Sequence, residues 1–557
     1  MRWRSKRIMA IAAIGLSAGL VLAGCSAGGS NGTSGGGSGG GTLSIGTGGV
    51  FTDSNNPFAS TSSASANGWR WLVYEPLVQT NSVDPTAKPE PWLASAYKWN
   101  TDYTKVTFTA RDGVKWSDGK AFTADDIAFT FNLIKSNESL NTASIPFTSI
   151  KKSGNDVTVS FGESQFVKQA ATIGQFIVPE HLWKDVSNPA TFQDKAPIGT
   201  GPFLFSSASS SVAKLKKNTA YWQADKVKVG AVVYQALQGN DAILNGLAAH
   251  KLDWAGSAAL NLKEGFLDKD PKRNFAWGPA VLGISAFVVN TAKAPFDDVH
   301  LRRAMSMVID RKKIVKLASN GQTPVVKSVA GLPQPVGDSF IDPSLKGKDV
   351  SIDLAGAKAE LTKGGFSLDG GVLKDASGKA VIMTLIDPTG WTDYLTALQV
   401  ISDNFGQIGI KTTTETPSQD AWQAALSSGN FDGTMRYSNS GPTPYDIYSS
   451  YADGSLFAPI GSPVTGNYGR YNNPAVTSAL KQYATASSDN DRTAAMKTIQ
   501  EAWTTDVPAI SIWANPANAM FTTVNFTGWP SADDPYASPG ILSSSVSKIM
   551  VTLKPAK

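Results

Sequence analysis

The chain has 557 residues, of which 41% are hydrophobic and 17% charged, and a single cysteine. One cysteine excludes an intrachain disulfide and any thiolate metal cluster. The formal net charge of +5 is concentrated at the N-terminus, in Arg2, Arg4, Lys6 and Arg7, so no basic face remains for nucleic acid, and the length suits two or three domains.

Those four basic residues precede an apolar run, residues 8–22 (IMAIAAIGLSAGLVL). It is short for a membrane span and fits the hydrophobic segment of a signal peptide. It ends in Leu22-Ala23-Gly24-Cys25, which resembles the lipobox of bacterial lipoproteins, with the Cys25 thiol as lipid acceptor. Residues 26–41 (SAGGSNGTSGGGSGGG) follow. They are uncharged, Gly/Ser-rich and without apolar periodicity, and read as a flexible tether. Their Gly-x-Ser-x-Gly matches are accidental, because a nucleophile elbow needs a strand before the serine and a helix after it.

The body reads as mixed α/β. Strands are expected at 42–47, 105–109 and 156–161. Residues 123–135 (TADDIAFTFNLIK) read as a helix, with Thr123 as N-cap and Asp125 and Asp126 in the first turn. Further helices are expected at 242–249, 301–317 and 354–364, the last ended by glycine. A strand over 381–387 leads to a helix over 395–407. A helix over 492–506 leads to an apolar strand over 507–513. There is no phosphate loop, and Gly46-Thr47-Gly48-Gly49 lacks the third glycine of a dinucleotide fingerprint. Strand–helix alternation of this kind predicts a two-lobed α/β body.

Several segments, in order, carry a resemblance. Residues 106–131 (VTFTARDGVKWSDGKAFTADDIAFTF) hold a strand, two glycine turns and a capped helix. Residues 197–203 (PIGTGPF), 217–222 (KNTAYW), 242–253 and 287–310 (FVVNTAKAPFDDVHLRRAMSMVID) continue the pattern, as do 359–366 (AELTKGGF) and 408–412 (IGIKT). Together they resemble family 5 of the bacterial extracellular solute-binding proteins, the oligopeptide type. One departure is His250, which stands where the family usually has glycine.

The resemblance implies a two-lobed periplasmic-binding-protein fold of the large type. The expected boundaries are a leader over 1–25, a tether over 26–41, lobe I over 42–285 with an extra subdomain at about 61–189, lobe II over 286–514, and a return to lobe I over 515–557. It implies ligand capture by lobe closure and delivery to the permease and ATPase subunits of an ABC importer. The protein would act as a monomer, lipid-anchored through Cys25 on the outer face of the cytoplasmic membrane. It would be neither an enzyme nor a metal or cofactor carrier.

The residues agree with that reading. His181, His250 and His300 are widely spaced and have no metal-ligand spacing. The pairs Asp125–Asp126 and Asp533–Asp534 point in different directions on a helix or strand, unlike a glycosidase pair. Asp112, Asp118, Asp298, Arg302 and Asp310 are read as turn and pairing residues. Trp99, Trp116, Trp222 and Trp254 are read as core.

Ligand class turns on a loop. Peptide-binding members commonly hold the ligand's amino group with an aspartate after the Gly429-Asn430-Phe431-Asp432 segment. Here Pro442-Thr443-Pro444 stands at that place, and a desolvated ammonium without a carboxylate is costly; Asp446 is the open substitute. The run Gly441–Tyr445, with Gly528-Trp529-Pro530, resembles the oligosaccharide-binding branch. Sugar rings stack their C–H faces on aromatics and bond their hydroxyls to amides and acids. The candidate platforms are Trp69, Trp391, Tyr437, Tyr445, Trp513 and Trp529, and the candidate polar partners are Asn55, Asn439, Asp446 and Asn515. An oligosaccharide is placed ahead of an oligopeptide. A surface receptor without a transporter is the alternative of another class.

Overall fold

The protein is described by a computed structural model covering residues 40–256 and 261–557. The expected leader, the Cys25 lipobox and all but the end of the tether lie outside the described residues.

Three sheets organise the body. The first has seven strands, in the spatial order Asn274–Trp277, Ala519–Thr522, Trp254–Ala255, Thr42–Gly48, Ala231–Leu237, Val212–Lys217 and Phe203–Ala208. Thr42–Gly48 lies inside it, parallel to both neighbours. Its Leu43 and Ile45 are fully buried against Tyr234, Trp254 and Phe521. A four-stranded antiparallel sheet, Ala94–Trp99, Lys105–Ala110, Asp156–Phe161 and Phe147–Ser153, has its own core around Phe108 and Phe131. Its two central strands alternate buried and part-exposed positions, as a sheet covered on one face should.

The third sheet runs Lys411–Glu415, Ile382–Ile386, Gly433–Tyr437, Ala280–Val289 and Ile510–Pro516. Ala280–Val289 (AVLGISAFVV) is apolar at nearly every position because helices cover both faces. Phe287 and Val289 pack with Leu301 and Phe405 on one side. Ile284, Ala286 and Val288 pack with Trp422 and Tyr448 on the other.

The chain passes between the first and third sheets at 278–279 and again at 517–518. The crossings run side by side. Trp277 pairs with Ala519 before them and Ala280 with Pro516 after them, and the Ala517 N–H donates to the Pro279 carbonyl at 2.9 Å. The two crossings join the lobes, and Phe166 and Val167, from the segment after the four-stranded sheet, also pack into the second-lobe core, with Arg492 3.8 Å over the Phe166 ring.

Local capping decides where the helices stop. Thr123 caps Ala124–Ser136, and Asp126 completes the capping box by accepting the Thr123 N–H at 2.9 Å. The helix expected over 301–317 is instead two, Val299–Val308 and Arg311–Ala318. Ile309 is extended, and Asp310 caps the second helix by accepting the Lys313 N–H at 2.9 Å. The Arg311 guanidinium donates back to the Ser306 and Ile309 carbonyls, holding the break. The strand expected over 507–513 starts later, at Ile510, because Val507 turns the chain with φ 49°. His250 has φ 53°, the left-handed conformation that favours glycine, which explains the family's usual residue there. Among the described residues no helix is long and apolar enough to cross a membrane.

Candidate functional site

A cleft of about 940 Å³ opens between the lobes. The first lobe contributes Gln238, Gly239, Asn240 and Asp241, where strand Ala231–Leu237 gives way to helix Asn240–Ala248. The second lobe contributes residues from three adjacent strands, Gly433–Tyr437, Ala280–Val289 and the edge strand Ile510–Pro516. Tyr437, Ser285 and Trp513 lie in one row across the sheet, set by strand register. Beside them, Gly390 takes φ 86°, and the turn presents Trp391 at the start of helix Thr392–Gly406.

The second-lobe wall is a chain of aromatic contacts. Trp391 lies 5.4 Å from Tyr394 and 5.2 Å from Trp422, and Tyr394 lies 5.8 Å from Trp513. Trp391 is half-buried and Tyr437 is 45% exposed, and both line the cleft. Ser285 Oγ shares a 3.1 Å hydrogen bond with Tyr394 Oη and donates to Asn515 Oδ1 at 3.0 Å. That network fixes the orientation of the Asn515 amide. Asp393 and Asp241 are the carboxylates of the lining, and no lysine or arginine is among the lining residues. Burial raises the Asp393 carboxyl above its ordinary range. Behind the wall, Asp387 is fully buried, accepts from Thr434 Oγ1 and the Met435 N–H at 3.1 Å each, and is raised well above the carboxylate range by burial.

The fold brings Trp391, Tyr437, Trp513 and Asn515 together in this cleft. It corrects the other candidates. Trp69 is fully buried in the first-lobe core, and its indole N–H donates to Asn55 Oδ1 at 2.9 Å. Asn55 is itself buried, and its amide donates to the Asp53 and Asp194 carbonyls. Trp529 stacks on Phe521 at 5.1 Å and donates to the Thr522 and Phe526 carbonyls, so it too is core. Asn439 is exposed outside the lining. Tyr445 stacks on Tyr483 at 6.4 Å, away from the cleft. Asp446 follows it, tucked against Gly441, with its carboxyl pushed up to about 6 by burial. It is not positioned to replace a cleft carboxylate.

Sequence reading missed Ser285, Tyr394, Asp393 and the Gly239-Asn240-Asp241 turn. Tyr394 was within reach, one residue before the helix expected over 395–407 in an aromatic-rich turn. Ser285 carries no local signal, since it is the polar break in an otherwise apolar strand. The charged residues noted in the motifs are structural. Asp298 accepts from the His300 and Leu301 N–H groups, and Arg302 donates to the Phe296, Asp297 and Asp506 carbonyls. The histidines sit apart: His181 pairs with Asp118, and His300 with Glu360, both at 2.8 Å. Among the described residues no group of three or more His, Cys, Asp or Glu could hold a metal.

Residues 88–456 match the family described as bacterial extracellular solute-binding proteins, family 5 Middle. The chain is 27% identical over 314 residues to the oligopeptide-binding protein OppA of Bacillus subtilis, a match covering 52% of this chain and 56% of that protein. It is 24% identical over 513 residues to the probable peptide-binding protein YejA of Agrobacterium fabrum, covering 82% and 81%. Among solved structures, a periplasmic oligopeptide-binding protein of an ABC transporter from Thermotoga maritima superposes with a TM-score of 0.82 at 24% identity, covering 92% of this chain and 99% of that one. The mannohexaose-bound form of that protein gives 0.74 at 23% identity, covering 92% and 98%.

Proposed function

This chain belongs to family 5 of the bacterial extracellular solute-binding proteins, binding proteins rather than enzymes, and we propose that it captures an oligosaccharide in the interlobe cleft for an ABC-type importer. The observation that carries this reading is the lining. Trp391 and Tyr437 offer aromatic surface beside the buried Tyr394 and Trp513, amides and hydroxyls surround them, and no lysine or arginine is among the lining residues. Such a wall suits neutral rings with apolar faces and hydroxyl edges. Along the aromatic wall itself a charged group of a ligand would be desolvated without an opposite charge from a lysine or arginine beside it. The mannohexaose-bound relative is consistent with this chemistry.

Closure of the lobes on the ligand follows from differential affinity for the closed form. The finer localisation belongs to the same proposal: a lipid on Cys25 anchors the protein outside the cytoplasmic membrane, and residues 26–41 act as tether. Cys25→Ser should release the protein from membranes into the soluble fraction, and retention in the membrane fraction counts against the anchor.

An oligopeptide is the second reading, and Asp393 favours it. This carboxylate lines the cleft and could take a ligand ammonium, and relatives are named as peptide-binding proteins. A thermal-shift screen of neutral β-linked oligosaccharides against tri- to hexapeptides separates the two. Ligand at about 100 times its Kd stabilises the fold by about 2.7 kcal/mol. A shift with sugars supports the proposal, and a shift with peptides alone overturns it.

A further inference from the structure

Arg436 is anomalous among the arginines. It lies on strand Gly433–Tyr437, one residue before the cleft-lining Tyr437. Its guanidinium carbon is 4.1 Å from the centroid of the Tyr437 ring, 5.1 Å from that of Tyr468 and 5.2 Å from that of Trp422. Three aromatic rings therefore hold the cation. Yet its Nε is buried without a hydrogen-bond partner, and its guanidinium has no hydrogen bond or ion pair among the described residues.

Every other arginine among the described residues gives at least one N–H to a carbonyl or a carboxylate. Arg302 donates to the Asp506 carbonyl and Arg311 to the Ile309 carbonyl at helix ends, Arg470 to the Leu426 and Ser427 carbonyls, and Arg492 to Asp489. Stacking on aromatic faces stabilises the charge but leaves the in-plane N–H groups unmade. With Nε buried, the terminal Nη1 and Nη2 N–H groups remain as a planar fork, a geometry that matches a carboxylate with two parallel hydrogen bonds.

Arg436 is not in the cleft lining but borders it. Tyr437 opens on the cleft on one side of the cation. On the other, Trp422 is in contact with the cleft-lining Trp391. The cleft itself holds no cation, so a ligand leaving the aromatic wall past Tyr437 meets its first positive charge at Arg436.

We propose that Arg436 anchors a carboxylate carried by the ligand of the interlobe cleft, so that the ligand is an oligomer neutral along the aromatic wall and anionic where it passes Tyr437. This rests on the reading of the cleft as the ligand site. The carboxylate has two possible sources, a uronic acid within an oligosaccharide or the C-terminus of a peptide.

Matched pairs distinguish them. Titration calorimetry on the purified protein would compare a uronic-acid oligosaccharide with its neutral methyl ester, and a peptide with its C-terminal amide. The acid member of one pair should bind roughly tenfold to a hundredfold tighter than its neutral partner. Arg436→Gln should bring that ratio close to unity, and Arg436→Lys, which keeps the charge but not the fork, should give an intermediate ratio. An Arg436-dependent preference in the sugar pair supports both this inference and the oligosaccharide reading. The same preference in the peptide pair alone supports Arg436 as anchor and overturns the oligosaccharide reading. Sugar binding with no acid preference, or an acid preference that survives in both variants, overturns this inference and leaves the proposed function standing. Melting of the ligand-free variants checks that they are folded; should Arg436→Gln fail to fold, the ratio in Arg436→Lys decides.

Discussion

Trp391 and Trp529 are alike in sequence. Each follows a glycine of positive φ, Gly390 at 86° and Gly528 at 89°. Their surroundings differ because chain-distant residues decide them. Trp529 is enclosed by Trp254 and Phe521, whereas Trp391 meets Trp422 and Tyr394 on one side and open cleft on the other. Trp529→Ala should therefore lower stability by about 3–5 kcal/mol, read by denaturant melting. Trp391→Ala should leave the melt nearly unchanged and weaken ligand binding. Local sequence exposed the aromatic character of both and could not say which was core. The same limit applied to Trp69 and Asn55, whose hydrogen bond closes a buried pair.

Glu75 makes a second residue-scale prediction. It is fully buried, and its carboxylate accepts from Trp92 Nε1 at 2.6 Å, Tyr221 Oη at 2.7 Å and Trp222 Nε1 at 3.3 Å. Burial pushes its carboxyl from 4.5 up to about 7. The folded state thus holds this proton more tightly than the unfolded chain. The stability it contributes is whole below about pH 4.5 and is lost as the pH rises to about 7. Glu75→Gln stays neutral and should flatten the decline in melting temperature across that window. An unchanged slope would contradict the assignment.

At the scale of elements, capping signals were legible and interruptions were not. Thr123 and Asp126 stand in the sequence as a cap and are one. The break at Ile309 hides inside an apolar periodicity that continues across it, and only Asp310, read there as a pairing residue, marks it. Asp310→Ala should cost about 1 kcal/mol by removing the cap. Gly199 shows a constraint of another kind. A Cβ there would lie 1.9 Å from the Val73 carbonyl oxygen, so Gly199→Ala must displace backbone. It should lower the melting temperature by more than the Asp310 variant does.

For the whole molecule, the order of the motifs carried the resemblance to family 5, and that resemblance implied the two-lobed α/β fold. The cleft was less legible. Its wall is assembled from strand positions 285, 437 and 513, which only the register of the third sheet brings into one row. Movement of the lobes as bodies would hinge at the two short crossings, 278–279 and 517–518, and shift the packing of Phe166 and Val167 on the second-lobe core. Ligand should therefore reduce the radius of gyration in small-angle scattering, and an unchanged radius would argue for a rigid cleft.

The most direct test of the central claim is calorimetric titration of a neutral β-linked hexasaccharide into the protein and its Trp391→Ala variant. The account predicts saturable binding to the wild type and a loss of roughly tenfold or more in the variant, about 1.4 kcal/mol. Equal affinity in both, or binding confined to peptides, would contradict it.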